Sequence, residues 1–152
     1  MILPLLDGLL DPRYVILELQ GATAAEAILE IVELFGESGE LRKPQEFFEA
    51  VMDREEKSPT VANGGVAFPH ARTALVDQLL LGIGRSEQGV SFGDVQELVH
   101  LIFVIAVPQQ MVNDYLICVG SLARRLSREA TRAGLLAVAT PSEFLACLRS
   151  ED

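Results

Sequence analysis

His70 stands directly after Pro69 in the stretch Gly64 to Arg72, GGVAFPHAR, and is one of only two histidines in the chain. A neutral imidazole nitrogen is a nucleophile near pH 7, so a histidine held at a fixed angle can accept and release a transferable group. Pro69 fixes its own φ and biases Phe68 towards an extended backbone. Gly64 and Gly65 allow a tight turn or a close approach. Strand, sharp turn and imidazole together present His70 at the end of a sheet. The same residues also read as an ordinary Pro/Gly turn with an inert, hydrogen-bonded histidine. A Pro-His pair alone does not separate the two.

Upstream, MDREEKSPT carries Arg54 at the end of an expected helix. An arginine there is either a solvated cation favoured by the helix C-terminus or a grip for an anion. Its planar fork of donors suits a phosphate carried on a nearby imidazole. His100 lies inside an apolar run, between Val99 and Leu101, and is read as a structural histidine. Cys118 and Cys147 sit in apolar helical patterns without metal-ligand spacing, which reads as two buried thiols in a reducing compartment. No metal or cofactor motif is present, and there is no G-x-S-x-G or paired-histidine signature of a hydrolase.

The rest of the chain must position these groups. Its 152 residues suit one domain, spanning 1–152, with a real hydrophobic core. With 22 acidic against 12 basic residues, the formal charge of −10 argues against nucleic-acid binding and against a membrane-surface role. The most apolar run, Leu101 to Val107, is far short of the roughly 20 residues of a spanning helix. The N-terminus lacks the basic region of a targeting signal. A cytoplasmic protein is expected.

YVILELQ (Tyr14 to Gln20) reads as a strand. Thr23 to Glu26 has capping-box spacing ahead of a helix carrying Ala27, Ile28, Ile31, Leu34 and Phe35, with Gly36 as its stop. A second helix starts at Pro44, with Phe47, Phe48, Val51 and Met52 on one face, and runs towards Arg54. In the turn-rich middle only Val66–Phe68 is strand-like. Leu79–Arg85 and Leu98–Val107 read as central strands buried on both faces, with GVSFGD between them as a turn or short edge strand. After Pro108, a helix capped by Asn113 or Asp114 turns Leu116, Val119, Ala123 and Leu126 inward. A short helix begins at Ser127. The last has Thr140 as N-cap, Pro141 at N1, and Phe144, Leu145 and Leu148 inward. The expected fold is a single α/β domain with a central mixed β-sheet flanked by helices on both faces.

DREEKSPTVANGGVAFPHAR, followed by GVSFG, VHLIFVIAVP and YLICVGSLARRL, resembles the IIA domain of the bacterial phosphoenolpyruvate-dependent phosphotransferase system. The likeness is to its fructose/mannitol class, which includes nitrogen-related regulatory IIA proteins, and it runs from about residue 4 to the C-terminus. The resemblance implies that His70 takes a phosphoryl group from the carrier HPr or its nitrogen-branch relative. His70 then passes the group to a IIB domain or keeps it as a signal to a regulatory protein. It also implies that Arg54 helps hold the phosphoryl group, and that the transfer needs positioning and charge stabilisation rather than a metal or cofactor.

Three positions depart from the family pattern. Tyr115 occupies the place of a second active-site histidine, as a weaker hydrogen-bonding stand-in or as a packed aromatic. Asn63 replaces a small residue, usually glycine, and is expected to keep the turn by tolerating a left-handed backbone. Phe68 replaces an aliphatic residue and is expected to add bulk beside the site. Thr60 and Asn63 are candidates for hydrogen bonds near it. Two functions follow: a phosphoryl carrier acting through His70, or a IIA-like regulatory interaction domain that binds a partner without efficient phosphotransfer.

Overall fold

The long apolar run does become the centre of a sheet. In the computed structural model, which describes residues 2–150, it forms strand β6 (Val99–Pro108), whose residues from Leu101 to Val107 are essentially fully buried. Alternation along β6 sends Ile102, Val104 and Ala106 into one apolar cluster and Leu101, Phe103, Ile105 and Val107 into another. Two helical layers cover these faces. Helices α2 (Ala24–Ser38) and α3 (Pro44–Lys57) cover the first, and α4 (Val112–Leu126), α5 (Glu129–Ala137) and α6 (Pro141–Arg149) cover the second. A single turn, α1 (Pro4–Asp7), lies against α4.

The described strands form one mixed sheet. Strand β5 (Leu80–Val90) pairs antiparallel with β6 on one side and parallel with the short β1 (Val15–Ile16) on its own far edge. On the other side of β6 lie β3 (Val66–Ala67) and β4 (His70–Thr73), both parallel to it, with β2 (Val61–Ala62) antiparallel to β3. This is the single α/β domain with a helix-covered mixed sheet that the pattern implied. Met1, Glu151 and Asp152 of the expected 1–152 span lie outside the described residues.

Several expectations change at element ends. The strand expected over Tyr14–Gln20 shrinks to Val15–Ile16. Tyr14 closes a 3₁₀ turn (Pro12–Tyr14), while the Glu30 carboxylate takes the N–H groups of Gln20 and Gly21 from any ladder. Thr23 and Glu26 form the expected capping box, but the helix runs through Gly36 and stops at Gly39, whose left-handed φ of 81° ends it. Neither Asn113 nor Asp114 caps α4, because a turn from Pro108 to Met111 starts the helix at Val112. Cys118, Leu122 and Leu126 form its inner face, so Leu116 and Ala123 face solvent. Ser127 does not begin α5; its hydroxyl donates to the Arg124 carbonyl and finishes α4. Gly89 and Val90 of GVSFGD belong to β5, and Ser91 bridges to Thr23. Cys118 is buried, and burial first and then Asp114 push its thiol up to about 11. Cys147 is only half-buried, since it lies at the flank of α6.

Helix α2 sits close on β5 because Gly82 has no side chain. A Cβ there would stand 2.5 Å from Ile31 Cγ2 and 2.8 Å from the Phe35 ring. These atoms belong to a β-branched and an aromatic residue in a packed core, so they have no room to retreat. Gly82→Ala is expected to cost about 1–3 kcal/mol by overpacking. Thermal denaturation checks this as a melting midpoint lowered by about 2–4 °C per kcal/mol.

Candidate functional site

The strand that carries His70 has one interruption. Val66 and Ala67 pair with Leu101 and Ile102, and His70 pairs with Ile105 in the same register. Pro69 lies in the gap and has no N–H for the ladder, but its carbonyl still accepts from Ile105 N at 3.0 Å. His70 therefore opens a second strand segment rather than ending the first. The turn before β3 uses Gly64 and Gly65, at φ of 90° and 76°. Asn63 is not in the left-handed region, so the expected role in that turn belongs to the glycines.

The His70 ring is bound at both nitrogens. Nδ1 lies 2.9 Å from the Phe68 carbonyl oxygen. A carbonyl only accepts, so Nδ1 carries the hydrogen and the neutral ring keeps its lone pair on Nε2. Nε2 lies 3.1 Å from the Tyr115 hydroxyl, with ring centroids 4.7 Å apart and planes inclined by 31°. Burial raises the Tyr115 phenol above its ordinary value, against the opposing pull of Arg54, so it stays protonated and donates to Nε2. Burial also lowers His70, the Phe68 carbonyl bond opposes this, and the Arg54 charge lowers it further. The ring is thus a neutral, half-buried base at neutral pH.

Arg54 occupies the last turn of α3 and is exposed. Its charge acts on both His70 and Tyr115, and among the described residues it makes no hydrogen bond or ion pair. The site thus combines an imidazole whose one lone pair lies on Nε2, a phenol that donates to it, and a guanidinium without a hydrogen bond or ion pair among the described residues. Such a set suits an anionic group attached at Nε2.

The remaining candidates separate. Phe68 does not crowd the site: its ring is buried and stacks on Phe103 at 5.7 Å, and only its carbonyl reaches His70. The Thr60 hydroxyl donates to Glu55 rather than towards His70. Asn63 is exposed on the rim of a separate cavity of about 280 Å³ that also involves Ser127 and Arg132. His100 is held at Nδ1 by the Ser86 carbonyl, 2.8 Å away, and takes no part in the His70 cluster. Sequence reasoning passes over Glu55. Its signal is an acid five residues before a threonine across a helix end, and only burial gives that spacing meaning.

Residues 8–151 match the family described as phosphoenolpyruvate-dependent sugar phosphotransferase system, EIIA 2. The chain belongs to this family. Over 145 residues it is 30% identical to the PTS system fructose-specific EIIABC component of Bacillus subtilis (strain 168), covering 95% of this chain and 23% of that protein. The chain thus spans about a quarter of that relative's length. Among solved structures, the nitrogen regulatory protein IIA-Ntr from Neisseria meningitidis is 27% identical, with a TM-score of 0.87 over 95% of this chain and 99% of that one. The IIA component in the complex of mannitol IIA and phosphorylated mannitol IIB from Escherichia coli is 26% identical, with a TM-score of 0.78 over 91% and 96%. No helix among the described residues of this EIIA 2 chain is long and apolar enough to cross a membrane.

A pH titration of the His70 ring by NMR is expected to give a midpoint below the ordinary histidine value. Arg54→Ala should move it upwards, because removing a nearby cation makes the imidazolium less unfavourable. A midpoint that moves down would contradict this placement of the Arg54 charge.

Proposed function

We propose that the protein is a phosphoryl carrier of a phosphotransferase system, working in the cytoplasm and phosphorylated on Nε2 of His70. The observation that carries this reading is the bond from Nδ1 to the Phe68 carbonyl, which leaves Nε2 as the nucleophilic nitrogen beside Arg54. An HPr-type carrier brings a phosphoryl group to this nitrogen. The Nε2 lone pair forms the N–P bond as the donor's bond to phosphorus breaks and the donor keeps that electron pair. Nδ1 retains its proton, so the phosphorylated ring is cationic and its charge is eased by the Phe68 carbonyl. Tyr115 turns its O–H from Nε2 to a phosphoryl oxygen, and Arg54 closes on the others. Reversal towards a IIB domain returns the ring to its starting tautomer. No metal or cofactor enters these steps.

Incubation with phosphoenolpyruvate, enzyme I and HPr is expected to place acid-labile phosphate on the wild type and none on His70→Ala. An unlabelled wild type, tested with the HPr-type carriers of its source, would overturn the proposal. Arg54→Ala should slow transfer by about 100-fold, as for loss of one preorganised charge at a transferring group.

A regulatory use of the same site is favoured by Tyr115, which donates one hydrogen bond but cannot become cationic as a histidine does. On this reading the chain is a IIA-like interaction domain whose phosphotransfer is inefficient and whose partner is a regulatory protein. Tyr115→His separates the two: a markedly faster transfer supports regulation, and an unchanged rate supports the carrier.

The partner meets an apolar rim. Leu116 and Ile117 follow Tyr115 on α4 and are 56% and 48% exposed. Exposed apolar side chains beside a site are typical of a docking surface. Leu116→Asp is expected to raise the KM for the carrier about tenfold while leaving kcat and thermal stability near wild type. Steady-state transfer kinetics and a melting curve test this together.

A further inference from the structure

Glu55 is only 7% exposed, although it directly follows the exposed Arg54 on α3. Burying a carboxylate is costly unless its oxygens are occupied. Both are: Oε2 accepts from Thr60 N at 2.8 Å, and Oε1 accepts from Thr60 Oγ1 at 2.7 Å. The pair fastens the end of α3 to the start of the segment that leads through β2 and β3 to His70.

From Thr60 the connection continues through the backbone. The Thr60 carbonyl accepts from Phe68 N at 3.2 Å, extending the ladder of Val61 with Ala67. The Phe68 carbonyl, on the same residue, is the acceptor that selects the His70 tautomer. Glu55 thus stands at the head of an unbroken hydrogen-bonded path to His70 Nδ1. It also ties the last turn of α3, which carries Arg54, to the same segment.

We propose that Glu55 is a positioning residue of the phosphoryl-transfer site, acting with Thr60 to hold the Phe68 carbonyl where it keeps His70 in the Nδ1–H tautomer. The kinetic consequence rests on the phosphoryl-carrier reading; the tautomer consequence does not. No proton or phosphoryl group passes through Glu55.

The test compares Glu55→Ala, Thr60→Val and Thr60→Ser with the wild type. ¹⁵N chemical shifts of His70, measured above its titration range, report the tautomer; circular dichroism reports the fold; transfer from HPr gives kcat and KM. The wild type and Thr60→Ser, which keeps the hydroxyl, should show the Nδ1–H form alone. Folded Thr60→Val and Glu55→Ala should show a mixture, with kcat lowered by about 10- to 100-fold and KM within about twofold. Wild-type tautomer in both folded variants overturns the proposal, whether or not kcat falls. A mixed tautomer with kcat unchanged overturns it too. If Glu55→Ala does not fold, Thr60→Val decides alone, since it removes the hydroxyl and keeps the side chain's size. If the wild type takes no phosphate, the carrier reading fails, and the tautomer comparison still decides the role of Glu55.

Discussion

The bond between His70 Nδ1 and the Phe68 carbonyl determines which ring nitrogen can react, and much of the structure holds that carbonyl still. Phe68 is fixed at its N–H by Thr60, at its ring by Phe103, and at its C-terminal side by Pro69. The Pro69 carbonyl is tied to Ile105 on the most buried strand of the sheet. A short stretch of chain is thus restrained from three directions. An imidazole on a free loop would exchange tautomers and offer either nitrogen; this one offers Nε2.

Electrostatics complete the arrangement. The chain carries a formal charge of −10, so an added phosphoryl group needs local positive charge. Arg54 places a positive charge within reach of His70, and its freedom from ion pairs among the described residues leaves its donors available. The same charge, together with burial, discourages protonation of His70 and so preserves the lone pair. Tyr115 contributes hydrogen bonding without charge. Arg54 gives the site a fixed positive charge, where a second histidine would add one that depends on pH.

The fold is readable where neighbouring residues act on one another. The capping box at Thr23, the helix start at Pro44, the last helix from Thr140 and the doubly buried run through Phe103 all follow from chemistry within a few residues. Element ends are less readable, because distant groups compete for the backbone. Glu30 draws Gln20 and Gly21 out of a strand that local β-propensity would extend. Periodicity places Val119 and Leu126 of α4 correctly against the core but not Leu116 and Ala123, which face outward.

By itself the sequence determined that His70 follows a backbone stiffened by Pro69 shortly after a glycine turn, that Arg54 lies at the end of a helix upstream, and that a two-sided apolar sheet supports them. Those are consequences of Pro69, the glycine pair and local periodicity. Only the tertiary structure decided the tautomer of His70, the inward course of the Phe68 ring, the pairing of His70 with Tyr115 45 residues away, and the burial of Glu55 against Thr60. Each of these depends on which groups the packed sheet brings within hydrogen-bonding distance, and no local pattern specifies that.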